Sequence, residues 1–208
     1  MGDPVDERKR TTLRRFAALG ATAPFAGLAS GAEGSTDESN GRSEVPDAIR
    51  GYLSTTPGAH FSKLRDDLKL GTGETQHHLR SLIDAGAVEA RRDGEYRRFF
   101  PAGQFSEFER TALGYLRRST PRGMVIELLE SPADTGSELA DRLSVSRATV
   151  SNYAGELEAA GLLDRSEAYV ITEPETVLML LLRYANSFGS DAVDFAARAD
   201  ELIRVDRS

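Results

Sequence analysis

The chain has 208 residues, 39% of them hydrophobic, no cysteine and a formal net charge of −7. It is long enough for one large domain or two small ones, and the missing cysteines exclude disulfides, thiolate metal sites and cysteine nucleophiles together. The acidic average is uneven: Lys+Arg against Asp+Glu runs 5 to 6 over residues 1–40, 10 to 9 over 41–102, 7 to 12 over 103–173 and 4 to 6 over 174–208.

Arginine outnumbers lysine 23 to 3. An acidic, arginine-biased chain without cysteine points to a salt-loving source with GC-rich coding; simple compositional drift is the competing explanation. In a salty cell the Debye length shrinks to roughly 3 Å at 1 M, so acidic surface away from a contact repels a polyanion very little.

Arg8, Lys9, Arg10, Arg14 and Arg15 precede a weakly apolar run over residues 16–30 that is rich in alanine and glycine. Basic start, modest apolar stretch and small residues near Ala29–Ala32 match a twin-arginine export signal in part. Pro24 interrupts the run, which is also too short and polar for a span of about 20 apolar residues. An export signal, a start codon placed too early and a disordered tail are the three readings. Residues 31–45 are polar and rich in glycine and serine, as a linker would be, so residues 1–45 form one signal-like or disordered segment and folding is expected from Pro46.

A helix is predicted over 60–68, a turn over Gly71–Gly73, a second helix to Ala85 and a left-handed cap at Gly86. The stretch AVEARRDGEYRRFF then reads as a β-hairpin with Asp93-Gly94 in its tight turn. Residues 105–119 form a connecting helix opened by a capping box at Ser106 and Glu109. Pro121 separates it from RGMVIELLE, the first helix of a second module.

In that module the pattern repeats: residues 61–88 align without a gap on residues 136–163, 75 positions later, with seven identities that include Leu64/Leu139, Leu68/Leu143, Leu82/Leu157 and Gly86/Gly161. Two copies of one module explain this. Thr135 and Glu138 make a capping box, Ser146 caps a second helix, Val150, Tyr153 and Leu157 form its inner stripe, and LLDRSEAYVITEP is a second hairpin. After it, PETVLMLLLRYANSF is apolar nearly all round and needs cover on most sides. The last segment repeats Ala192, Phe195, Ala196, Ala199, Leu202 and Ile203 on one face. These C-terminal helices pack on their own chain or form a homodimer.

Helix, turn, helix, glycine cap and hairpin, written twice, resembles the winged helix-turn-helix transcriptional regulators of the MarR and ArsR kinds. The tandem layout with an N-terminal extension is similar to haloarchaeal regulators. The resemblance covers about residues 46–173. The expected fold class is mainly α with small β-hairpins (α+β): a winged helix-turn-helix domain over 46–102, a linker helix and second such domain over 103–173, and C-terminal helices over 174–208. It implies double-stranded DNA as partner, a cytoplasmic protein unless the N-terminus exports or tethers it, and no enzymatic activity. Tandem winged helices also serve as protein-interaction adaptors, the alternative reading.

An α-helix fits the major groove, and the exposed N-terminal half of the second helix meets the bases while the preceding helix crosses the backbone. The candidates in the first module are Thr72, Glu74, Thr75, Gln76, His77 and Arg80, with His78 half-buried. Those in the second are Arg147, Thr149, Ser151 and Asn152. Arginine can be bidentate to guanine and asparagine to adenine. Arg91, Arg92, Arg97 and Arg98 flank the first wing turn, with about two on each face, to grip phosphates or a narrow minor groove. The second wing carries only Arg165 beside Asp164 and Glu167, so the first module is expected to be the main DNA reader. His60, His77 and His78 do not suggest a metal site, since adjacent helical residues point about 100° apart. No cofactor is expected, no phosphate loop, G-x-S-x-G or H-E-x-x-H pattern occurs, and any effector is unknown.

Overall fold

The computed structural model describes residues 11–18, 38–131 and 135–205. It divides into two compact units, one ending at Phe105 and the other beginning at Ser106.

In the first unit a short helix α1 (residues 11–18) is followed by α2 (Glu38–Thr55), β1 (Ala59–His60), α3 (Phe61–Leu68), α4 (Thr72–Asp84), β2 (Val88–Asp93) and β3 (Tyr96–Pro101). Val45, Ala48, Ile49, Tyr52 and Leu53, spaced by threes and fours, turn one face of α2 into the core. Leu64, Leu68, Leu70, Leu79, Leu82, Val88 and Phe99 complete that core. The helix α2 starts at Glu38, ahead of the expected Pro46, which lies inside it. Proline has no amide hydrogen for the carbonyl four residues back, so that turn lacks one rung and depends on packing.

Part of the signal-like segment over residues 1–45 is described by the structure. Residues 11–18 are helical, Leu13 is buried in the first unit's core, and Phe16 meets the Tyr52 ring edge to face at 5.3 Å. Residues 1–10 and 19–37, with the rest of the apolar run and most of the expected linker, lie outside the described residues.

His60 precedes α3 and caps it: its backbone is extended, and its Nδ1 accepts the Lys63 amide at 3.3 Å. The chain then turns through Lys69 in the left-handed region (φ 56°), and Gly71 is the N-cap of α4, so Gly73 already belongs to the helix. The three strands are antiparallel in the order β1-β3-β2, with Asp93 paired to Tyr96 across the tight turn and Gly94 at φ 59°. The two-residue strand β1 has no counterpart in the sequence expectations. It pairs Ala59 with Phe99 and His60 with Arg98, which makes β3 the central strand.

The second unit runs α5 (Glu107–Leu116), α6 (Ser119–Glu130), α7 (Gly136–Arg142), α8 (Arg147–Ala159), β4 (Leu163–Asp164), β5 (Val170–Ile171), α9 (Pro174–Phe188) and α10 (Ser190–Val205). Both capping boxes form: Ser106 and Glu109 exchange bonds of 2.7 and 3.1 Å, Thr135 and Glu138 bonds of 2.9 and 3.3 Å. Pro121 sits in the first turn of α6, where an amide would have no partner in the helix anyway. The helices α9 and α10 pack on each other, α9 on α5 and α10 on α6. They bury Val177, Leu180, Leu181, Tyr184 and Phe195 within their own unit. Cover over α9 is incomplete, since Met179 is 63% exposed and Leu178 and Leu182 are half-buried.

The sequence repeat reappears in backbone hydrogen bonds. Six bonds recur at an offset of 75 residues: Lys69 to Asp66, Leu70 to Arg65, Thr75 to Gly71, Ala85 to Ser81, Gly86 to Ile83 and Ala87 to Leu82 match Ser144 to Asp141, Val145 to Ala140, Val150 to Ser146, Ala160 to Glu156, Gly161 to Glu158 and Leu162 to Leu157. Lys69 and Ser144 share the left-handed turn, and Gly86 (φ 69°) and Gly161 (φ 72°) the left-handed cap. The two modules share a backbone frame as well as core spacing.

Candidate nucleic-acid interface

The side chains of α4 sort by the helical period. Leu79 and Leu82 go inward, and Thr72, Gln76, His77 and Arg80 are exposed. Thr72 Oγ1 lies 3.5 Å from Arg65 Nη1 on α3, and Arg80 stands 4.0 Å from Asp84 with both side chains in solvent. Glu74 is half-buried and accepts the Gly71 amide at 3.2 Å, which caps a helix whose N-cap glycine has no side chain to do so.

Thr75 corrects the expected interface. It is fully buried and its hydroxyl donates to the Gly71 carbonyl at 2.8 Å, so it cannot reach a base edge. The repeat carried the signal: position 75 aligns with Val150, also buried.

In the second module Arg147, Ser151 and Asn152 are exposed at the positions of Thr72, Gln76 and His77. Ser146 Oγ accepts the Thr149 amide at 3.0 Å and lies 2.8 Å from its hydroxyl, so Thr149 is half-buried and engaged at the cap. Where the first module has Arg80, the second has Gly155.

The wing arginines separate by register. Arg92 is opposite Arg97 and Arg91 opposite Arg98, and residues directly opposite share a face. Arg92 and Arg97 are both exposed; Arg92 Nε donates to the Gly94 carbonyl at 3.3 Å, and the Arg97 guanidinium lies 5.6 Å from the Phe99 ring centroid. Arg91 is half-buried.

Arg98 is the second correction, being 3% exposed. It is ion-paired to Asp93, donates to the Gly58 carbonyl at 3.1 Å and lies over the Tyr96 ring. Strand alternation alone could not show this, because β1 covers that side of β3. Tyr96, exposed beside the wing turn with its ring 5.2 Å from that of His60, is a further candidate that charge counting missed.

The second wing differs in kind. Arg165 is ion-paired to Glu158 on α8, and Asp164 accepts the Ser166 amide at 2.8 Å, which holds its carboxyl below the usual range. Arg142 is paired with Glu127, and Arg118 with Glu156. The arginines around α8 are thus tied to carboxylates, and Arg147 stands exposed at its first turn.

Burial pushes the His78 imidazole below its ordinary 6.5; His77 adds to the effect and Glu74 opposes it. A depressed imidazole makes the folded state favour the neutral ring. Its contribution to stability is therefore complete above 6.5 and lost as the pH falls below that value through the folded-state one. The melting midpoint is expected to drop further for the wild type than for His78→Tyr, the residue found at the aligned Tyr153, between about pH 7.5 and about pH 5. Equal drops would remove His78 from the account.

Among the described residues no group of three or more His, Asp or Glu side chains is placed to hold a metal ion, and no helix is long and apolar enough to cross a membrane.

Comparison with known proteins agrees with this anatomy. A family model described as an N-terminal HTH domain matches residues 43–113, and the MarR family model matches residues 122–169. An uncharacterized HTH-type transcriptional regulator of Methanocaldococcus jannaschii is 27% identical over 119 residues, which is 57% of this chain and 30% of that relative. The chain thus spans under a third of the relative's length. No solved structure matches it. Two modules on one backbone frame, each matched by a helix-turn-helix family model, make this chain a tandem winged helix-turn-helix protein.

Proposed function

We propose that the chain is a sequence-specific regulator of transcription that binds double-stranded DNA and carries no catalytic activity. In this reading α4 enters the major groove with Thr72, Gln76, His77 and Arg80, and the β2–β3 wing grips phosphates or the minor groove. The carrying observation is the exposed pair Arg92 and Arg97, set directly opposite each other. Like charges in that position oppose folding, and two phosphates would relieve the repulsion. The helix α8 adds Arg147, Ser151 and Asn152, with a wing that contributes no open cation.

Titrating DNA binding against salt tests this. Arg92→Ala with Arg97→Ala is expected to weaken binding on all sequences and to reduce the slope of log affinity against log salt by about 2, at ~0.9 per phosphate. Gln76→Ala or Arg147→Ala should instead change the preferred bases, by about 1–3 kcal/mol of discrimination. The mass of the retarded complex reports whether one or two chains bind, a homodimer being favoured by the partly open face around Met179. Equal binding of wild type and variants to specific and random DNA would sink the proposal.

The acidic second wing favours a second reading, in which this module docks a protein as part of an adaptor. A stoichiometric protein partner, together with no DNA binding at any salt, would establish it.

A further inference from the structure

The two arginines of the export-signal-like motif have a specific setting on the first unit. Within α1, Leu13 is buried and Phe16 and Ala17 are partly buried against the same core. These three positions, i, i+3 and i+4, make one helical face. Docking that face leaves Arg14 and Arg15 exposed on the other side, with Arg14 74% exposed and its Nε 3.9 Å from a Glu44 carboxylate oxygen. A pair so open to solvent contributes little to stability, so folding does not require the arginines there.

The docking point lies beside the helix expected to cross the DNA backbone. Phe16 packs on Tyr52, the Tyr52 hydroxyl donates to Asp67 on α3 at 2.8 Å, and Asp67 also takes the Lys63 ammonium of α3 at 2.7 Å. Ring, hydroxyl and carboxylate link α1 to α3 in three steps. In a helix-turn-helix the first helix crosses the phosphate backbone, and these contacts join α1, whose outer face carries Arg14 and Arg15, to that helix. A signal read by export machinery has no need of a buried leucine, whereas a phosphate-binding arm needs an anchor.

We propose that α1 is an anchored cationic arm of the first module and that Arg14 and Arg15 contact DNA phosphates on the flank of α3. The proposal rests on the DNA-binding reading above and deepens it: the footprint of the first module would extend past the groove contacts of α4 and the wing, with no added sequence preference.

The test uses the full chain and three proteins, wild type, Arg14→Ala with Arg15→Ala, and Arg14→Lys with Arg15→Lys. Each is titrated with one specific and one random DNA duplex over a range of salt, beside a thermal melt. The alanine variant is expected to melt as wild type does, to bind more weakly on specific and random duplexes alike, and to lose about 2 from the salt slope, ~0.9 per phosphate contact. The lysine variant, keeping both charges, should restore the slope. An unchanged slope in the alanine variant, with wild type binding DNA, overturns the arm and leaves the regulator reading standing. Absence of DNA binding by wild type overturns both. A slope that falls only together with a lowered melting point, without rescue by lysine, assigns the arginines to folding and overturns the arm.

Discussion

Arg98→Ala is expected to lower the stability of the first unit by about 3 kcal/mol, the lower end for a broken buried ion pair. The guanidinium is buried between the Asp93 carboxylate, the Gly58 carbonyl and the Tyr96 ring. Removing it takes the cation from a carboxylate that is only 19% exposed and a donor from a carbonyl in the turn between α2 and β1. The residual exposure of Asp93 allows some rehydration, which keeps the cost below the upper end of the range. Against a typical total of about 5–15 kcal/mol, such a loss is large. The contrast with the neighbouring arginines is diagnostic. Arg98→Ala should lose DNA binding in step with a lowered unfolding midpoint, while Arg92→Ala with Arg97→Ala should leave the midpoint within about 0.5 kcal/mol, as surface changes usually do. Chemical denaturation of both variants decides it. An Arg98→Ala protein as stable as wild type would mean that the wing opens in solution.

Tyr52→Ala is expected to cost more, about 3–5 kcal/mol, the range for deleting a buried aromatic ring. Tyr52 is 1% exposed and sits where α1, α2 and α3 meet. Its ring supports Phe16 and its hydroxyl holds Asp67. Tyr52→Phe separates these roles, keeping the ring contact and losing only the hydrogen bond. About 1.5 kcal/mol is expected for that loss, at the low end because Asp67 retains Lys63 and is partly in solvent. Amide hydrogen exchange should show α1 released by the alanine variant and retained by the phenylalanine one. If protection of residues 11–18 were the same in both, the ring would not be what anchors that helix.

The elements that could be read from sequence are those defined by local chemistry. Gly86 and Gly161 end their helices, Ser106 with Glu109 and Thr135 with Glu138 open theirs, and Asp93-Gly94 turns the first hairpin, because each needs only neighbours in the chain. The elements that escaped depend on distant partners. The strand β1 is two residues long and exists because β3 is there to pair with it, so nothing in Ala59-His60 announces it. That omission left Arg98 looking like a fourth surface arginine. The helix α1 was hidden because Leu13, Phe16 and Ala17 are apolar for the sake of the first unit's core, and in sequence they merge with the neighbouring alanine-rich run. Thr75 is legible through its repeat partner Val150, whose apolar side chain marks the position as inward-facing even where a threonine occupies it.

The shared backbone frame makes the two helix-turn-helix scaffolds locally interchangeable. The largest difference among the six matched bonds is 2.9 Å at Thr75 against 3.1 Å at Val150, so the exposed positions 72, 76 and 77 occupy the same local setting as 147, 151 and 152. A side chain transplanted from one module to the other would find the same helix start and turn beneath it. The wings lack this equivalence: the bond from Ala102 to Ala87 corresponds to one from Thr172 to Leu162, five residues short of the 75-residue offset. The exposed positions of α4 and α8 are free to diversify one residue at a time on this frame, while a change of wing requires a change of chain length.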